Sequence, residues 1–122
     1  MIGIARELAA LTGRELKQPK IEFQTSGDPV EDSVTIEITN SELNPRFVAG
    51  LIRNVEIKPS PYQIQRRLKL AGVRSINNIV DATNYAMIEL GEPLHAFDYD
   101  ILKERAGEKK IKIITRAAQE GE

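Results

Sequence analysis

The chain has no cysteine, no tryptophan and a single histidine, His95. Without thiols there are no disulfides and no thiolate metal sites. One histidine and no cysteine also leave a structural zinc centre without its ligands. Aromatic residues make up 5% of the chain, so a core has to be built from aliphatic side chains. No apolar run approaches the length of a membrane span. The opening residues MIGIARELAALTG carry Arg6 and Glu7, unlike the apolar core of a signal peptide. Charge of neither sign prevails, because 17 basic and 18 acidic residues give a net charge of -1. Global attraction to nucleic acid is therefore absent, and an RNA contact must come from a local patch. There are no internal repeats and no low-complexity tract. No glycine-rich phosphate loop is present, so an ATP cradle is not expected in these residues.

What is present suits a soluble domain. The 122 residues, 41% of them hydrophobic, fit one small domain or a piece of a larger one. Residues 2–12 place Ile4, Ala5, Leu8 and Leu11 on one helical face, with Gly13 where a stop belongs. Residues 14–32 are polar and contain Pro19, Gly27 and Pro29, as a connection between two units would. Residues 33–39 alternate, with Val34, Ile36 and Ile38 opposite Thr35, Glu37 and Thr39, which predicts a half-exposed strand. Residues 46–57 are apolar on both faces and predict a central strand covered on both sides. Ser60, Pro61 and Gln63 read as a capped helix start with a capping box. That helix buries Ile64, Leu68 and Ala71 and closes at Gly72. Its exposed side is basic, with Arg66, Arg67 and Lys69, and Arg74 follows; a solvated face and an RNA-backbone contact both fit this cluster.

Residues 75–98, SINNIVDATNYAMIELGEPLHAFD, organise the rest. Ile76, Ile79, Val80, Thr83, Ala86, Met87 and Leu90 recur at helical spacing. Ser75 is placed to cap this helix, and Gly91 with Pro93 ends it. Thr83 puts a hydroxyl inside the apolar stripe, where it commonly bonds back to a carbonyl one turn earlier. Asn77, Asp81 and Asn84 form a polar stripe, and His95 lies in the exit turn. A histidine there can tie down a turn or act as acid, base or donor. Asp98 can cap a helical turn over 99–105, and residues 110–116 read as a last strand. The sum is an α+β class: a partial mixed sheet with a two-helix layer.

INNIVDATNYAMIELGEPLHAFD resembles, nearly continuously, the editing domain of the phenylalanyl-tRNA synthetase β subunit. NPRFVAGLIRNVEIKPSPYQIQRRLKLAGVRSINN is similar to the run that precedes it in that family. MIGIARELAALTG resembles the helix leading into the domain, and IKIITRAAQEGE the strand after HAFD. Asn44 stands where the family often has Cys, Gly50 where it often has Arg, and Tyr62-Gln63 carries no Trp. The resemblance implies a fragment: residues 1–22 as lead-in helix and linker, residues 23–122 as the front half of the editing domain.

It further implies a cytoplasmic parent enzyme that joins phenylalanine to its tRNA with ATP and Mg²⁺, the catalytic centre lying in a partner α subunit of a heterotetramer. No cofactor is implied for the fragment, and no membrane. The implied role of the domain is hydrolysis of tRNA mischarged with tyrosine. His95 matches the family's editing-site histidine, and Thr83 and Asn84 match its substrate-binding Thr-Asn pair. The acidic residue that reads the tyrosine hydroxyl is expected beyond the equivalent of Glu122. The competing expectation is a non-catalytic RNA- or protein-binding module on the same scaffold.

Overall fold

The computed structural model describes residues 1–122. The elements run in the order helix α1 (Ile2–Thr12), a 3₁₀ turn (Val30–Asp32), strand β1 (Val34–Ile38), helices α2 (Tyr62–Leu70), α3 (Asn78–Leu90) and α4 (Tyr99–Ala106), and strand β2 (Ile111–Thr115). This is an α+β fold, and it divides into two compact units. One combines Met1–Phe23 with Val55–Ala96; the other combines Gln24–Asn54 with Phe97–Glu122.

In the second unit β1 and β2 run parallel, with Val34 opposite Ile111 and Ile38 opposite Thr115. Ile111 is almost fully buried. The hydroxyls of Thr35 and Thr39 donate to the carbonyls of Ile111 and Thr115, at 3.2 and 2.9 Å, and stitch the two strands further. Lys112 and Glu37 form an ion pair across the same strands. Helix α4 packs on β2. Asp98 starts it as expected, its carboxylate accepting from the backbone N–H of Asp100 and Ile101.

Residues 46–57 do not form the expected central strand. Phe47, Ala49 and Leu51 are half-buried, whereas Val48 and Ile52 are 71% and 79% exposed. The alternation of a strand is there, but no neighbouring strand supplies the ladder of backbone hydrogen bonds, and one face stays uncovered. The sheet is therefore a single parallel pair.

In the first unit α1 ends at Gly13, whose φ of 64° is open to glycine without steric cost. Helix α2 closes with a Schellman arrangement: Val73 N–H donates to the Leu68 carbonyl at 2.9 Å and Gly72 N–H to that of Lys69 at 3.1 Å. Leu68, 1% exposed, is the buried anchor of this helix. Helix α3 packs against both α1 and α2 and stops at Gly91.

Two capping expectations are corrected. Ser60 does not cap α2; that helix begins at Tyr62 after Pro61 and has no side-chain cap. Nor does Ser75 cap α3; the cap is Asn77, two residues later, which accepts from the N–H groups of Ile79 and Val80 at 3.1 and 2.9 Å. Both serines instead turn to Asp81. Ser60 Oγ donates to Asp81 Oδ2 at 2.6 Å, Ser75 Oγ to the same oxygen at 2.5 Å, and Ile76 N–H to Oδ1 at 2.8 Å. The reason is the strength of the acceptor: an ionised carboxylate competes for a hydroxyl better than a helix terminus gives it a place.

Asp81 has no exposed surface at all. Burial pushes its carboxyl up, but the hydrogen bonds from Ser60, Ser75 and Ile76 together outweigh that and hold it below the usual carboxylate range. Asn78 adds a second tie on the same turn. Its side chain accepts from Lys58 N–H at 3.1 Å and donates to the Glu56 carbonyl at 2.9 Å. Its own N–H donates to the Lys58 carbonyl at 2.8 Å.

Leu68→Ala is expected to cost about 2–5 kcal/mol through lost burial and an unfilled cavity, and Asn77→Ala about 1 kcal/mol through a lost cap. The shifts in urea midpoint check both. Asp81 is more acidic folded than unfolded, so its contribution is complete above about pH 4, the unfolded value, and is lost as pH falls toward the lower native value. Asp81→Asn should remove that part of the acid dependence and lower stability at pH 7 by about 1–3 kcal/mol. Equal stability loss in both proteins between pH 5 and pH 3 would contradict it.

Candidate functional site

The turn of α3 that follows Asp81 carries Thr83 and Asn84. Thr83 is half-buried, and its hydroxyl donates to the Val80 carbonyl at 2.8 Å, the local bond its place in the stripe predicted. With its proton committed, Thr83 Oγ1 faces any ligand as an acceptor. Asn84 is half-buried and keeps both a donor and an acceptor on its amide. His95 belongs to the same compact unit and lies four residues beyond Gly91, whose φ of 88° turns the chain out of α3. It is exposed. Thr83 and Asn84 are thus adjacent on a helix pinned at its start, and His95 follows the same helix at its exit.

Two concavities lie elsewhere. In the first unit a hollow of about 400 Å³ is lined by Leu68, Leu70, Ala71, Tyr85, Ile88 and Glu89, together with Met1 and Arg67. Arg67 closes one side: its guanidinium stands 5.9 Å from the Tyr85 ring centre and donates a hydrogen bond to the Tyr85 hydroxyl. In the second unit a hollow of about 260 Å³ is lined by Asn40, Leu43, Asn44, Thr115, Arg116 and Ala117. Thr115 Oγ1 is enclosed there without a hydrogen-bond partner. Asn40 holds its own turn by accepting from Glu42 and Leu43 N–H, both at 3.0 Å. Arg116 makes a two-pronged contact with Glu122 at 2.7 and 2.5 Å. That contact raises the basicity of Arg116, and with the Gln119 N–H it lowers the Glu122 carboxyl below its ordinary range. Neither hollow is lined by Thr83, Asn84 or His95.

Sequence reasoning missed the part played by Asp81, Asn77 and Asn78. It read Asp81 as one member of a polar stripe and gave it no partner, whereas the residue is fully buried. The available signal was an acid one turn into a helix, with one serine, Ser75, six residues before it; nothing local pointed to Ser60, 21 residues upstream. No three His, Asp or Glu side chains converge on a point that could hold a metal ion. No helix is long and apolar enough to cross a membrane.

Comparison with known proteins gives a consistent family. The chain is 46% identical over its whole length to a phenylalanine–tRNA ligase β subunit from Bacillus cereus, of which it covers 14%. It is 42% identical to one from Protochlamydia amoebophila and 43% identical to one from Syntrophus aciditrophicus, again over all 122 residues and 14% of each relative. Residues 43–122 match the family described as the B3/4 domain. Helices α2, α3 and α4 and strand β2, with Thr83, Asn84 and His95 among them, all fall inside that match, and the chain belongs to the B3/4 domain family.

Proposed function

We propose that this chain is the front half of the editing domain of a phenylalanine–tRNA ligase β subunit, and that its site hydrolyses tRNA wrongly charged with tyrosine. Residues 1–22 then serve as lead-in helix and linker, and residues 23–122 as the half-domain. The observation that supports the reading is the similarity of the whole chain to such β subunits, with Thr83, Asn84 and His95 inside the stretch that matches the B3/4 domain. The chemical need is clear. An apolar pocket shaped for a phenyl ring rejects the same ring with an added hydroxyl by only about a hundredfold. A second site that binds the hydroxyl removes the error.

In this reaction water adds to the carbonyl carbon of the aminoacyl ester, and the bond to the terminal ribose oxygen breaks. Free tyrosine and uncharged tRNA leave. Thr83 Oγ1, whose proton is held by the Val80 carbonyl, accepts a hydrogen bond from the attacking water or from the amino group of the ester. The Asn84 amide donates to the ester carbonyl, and the His95 imidazole bonds the water or the leaving oxygen. The residue that recognises the tyrosine hydroxyl belongs to sequence beyond Glu122. ATP and Mg²⁺ serve the synthetic reaction, assigned to a cytoplasmic α/β enzyme and its α subunit.

Tyrosyl-tRNA hydrolysis by the complete subunit pair should fall at least about a hundredfold on His95→Ala, because small misplacements in a near-attack arrangement already cost that much. The 122-residue chain alone should show no useful rate. Unchanged hydrolysis in the His95→Ala pair would remove the site assignment, and robust His95-dependent hydrolysis by the chain alone would overturn the half-domain reading. A pair that binds tRNA but never hydrolyses the mischarged ester would instead favour a non-catalytic binding module.

A further inference from the structure

The exposed side of α2 has a composition that the candidate site does not use. At 100° per residue, Tyr62, Arg66 and Lys69 fall within about 60° of one another on the helix surface. Ile64, Leu68 and Ala71 lie on the other side, and Leu68 is fully buried there. Tyr62 is 76% exposed, and Arg66 and Lys69 are exposed and make no ion pair. No acidic residue occurs from Ile57 to Val80, while Lys58, Arg66, Arg67, Lys69 and Arg74 do. The next acid, Asp81, is buried and spent on Ser60, Ser75 and Ile76. Arg67 is excluded from the face because Tyr85 holds it.

We propose that the Tyr62–Arg66–Lys69 face of α2 is a contact for a single RNA strand, one base stacking on Tyr62 while Arg66 and Lys69 meet flanking phosphates. The three side chains spread over about 10 Å of helix axis, room for a short run of nucleotides. An exposed ring beside unpaired cations is the arrangement by which proteins hold single strands without reading sequence. An acidic protein partner would gain from the two cations but would leave the flat face of Tyr62 without its stacking ligand. The face is also fixed in place. Leu68 seats α2, the Schellman turn closes it, and Ser60 ties its entry to α3. A helix already fixed in place has no backbone freedom to lose on binding. The proposal rests on the tRNA-ligase reading only for the source of the RNA.

The test reads binding and not hydrolysis, so it is independent of the editing assignment. Affinity for a labelled, uncharged twelve-nucleotide RNA is measured by fluorescence anisotropy across a salt series, using the 122-residue chain. Tyr62→Ala should weaken binding about 5- to 150-fold, the range for one stacked base. Arg66→Gln with Lys69→Gln should flatten the dependence of log affinity on log salt by about 1.4, two phosphates' worth for a single strand. In the complete subunit pair bound to uncharged tRNA, a photo-crosslinking amino acid at position 62 should form its adduct with RNA. Unchanged affinity and salt slope in the variants would overturn the proposal. An adduct with protein in place of RNA would overturn it as well, and would assign the face to a polypeptide partner.

Discussion

The buried carboxylate of Asp81 is the constraint on which the first unit depends. A carboxylate taken fully out of water is tolerable only when its oxygens are bonded, and here three donors from two separate segments converge on it. Each donor fixes a different piece of chain. Ser60 fixes the entry to α2; Ser75 and Ile76 fix the approach to α3. Asn77 and Asn78 complete the work within the same turn, one capping its own helix and the other binding residues 56 and 58. Removing one donor would leave the charge under-satisfied in a place water does not reach, so the ties stand or fall together.

This dependence on polar ties follows from the small apolar core. Leu68 and Ile111 are the buried hydrophobic side chains, one in each unit, while Ser60 and Asp81 are buried beside Leu68's helix. Ile4, Leu8 and Leu11 of α1 are more than half exposed, so that helix adds little burial. Hydrogen bonds to a buried charge then carry an unusual share of the local order. For the proposed site the consequence is positional. Thr83 and Asn84 stand within one turn of Asp81, and the helix that presents them is held at its start by directional bonds. His95 follows that helix after a glycine-defined turn.

Much of this was legible in the sequence, and the failures have a common cause. Helices α1 to α4, strands β1 and β2, the Asp98 cap, the Gly13 and Gly91 stops and the Thr83 back-bond follow from local rules of spacing and capping. Residues 46–57 failed because a strand needs a neighbour, and apolar patterning does not say whether one is present. Ser60 and Ser75 failed because capping propensity counts a hydroxyl as local, whereas both are claimed by a carboxylate 21 and six residues away. The roles proposed for Thr83, Asn84 and His95 rest on resemblance. Spacing gives their placement on a helix and a turn, but not their chemistry.

Native-state hydrogen exchange at the Ile76 amide tests the central claim most directly, because that N–H donates to Asp81 Oδ1. In the parent chain at neutral pH the Ile76 amide should be protected, together with the Asn78 amide bonded to Lys58. In Asp81→Asn both should exchange faster, and by similar factors, if one carboxylate holds the two approaches to α3. An Ile76 amide that exchanges at the same rate in both proteins would contradict the account.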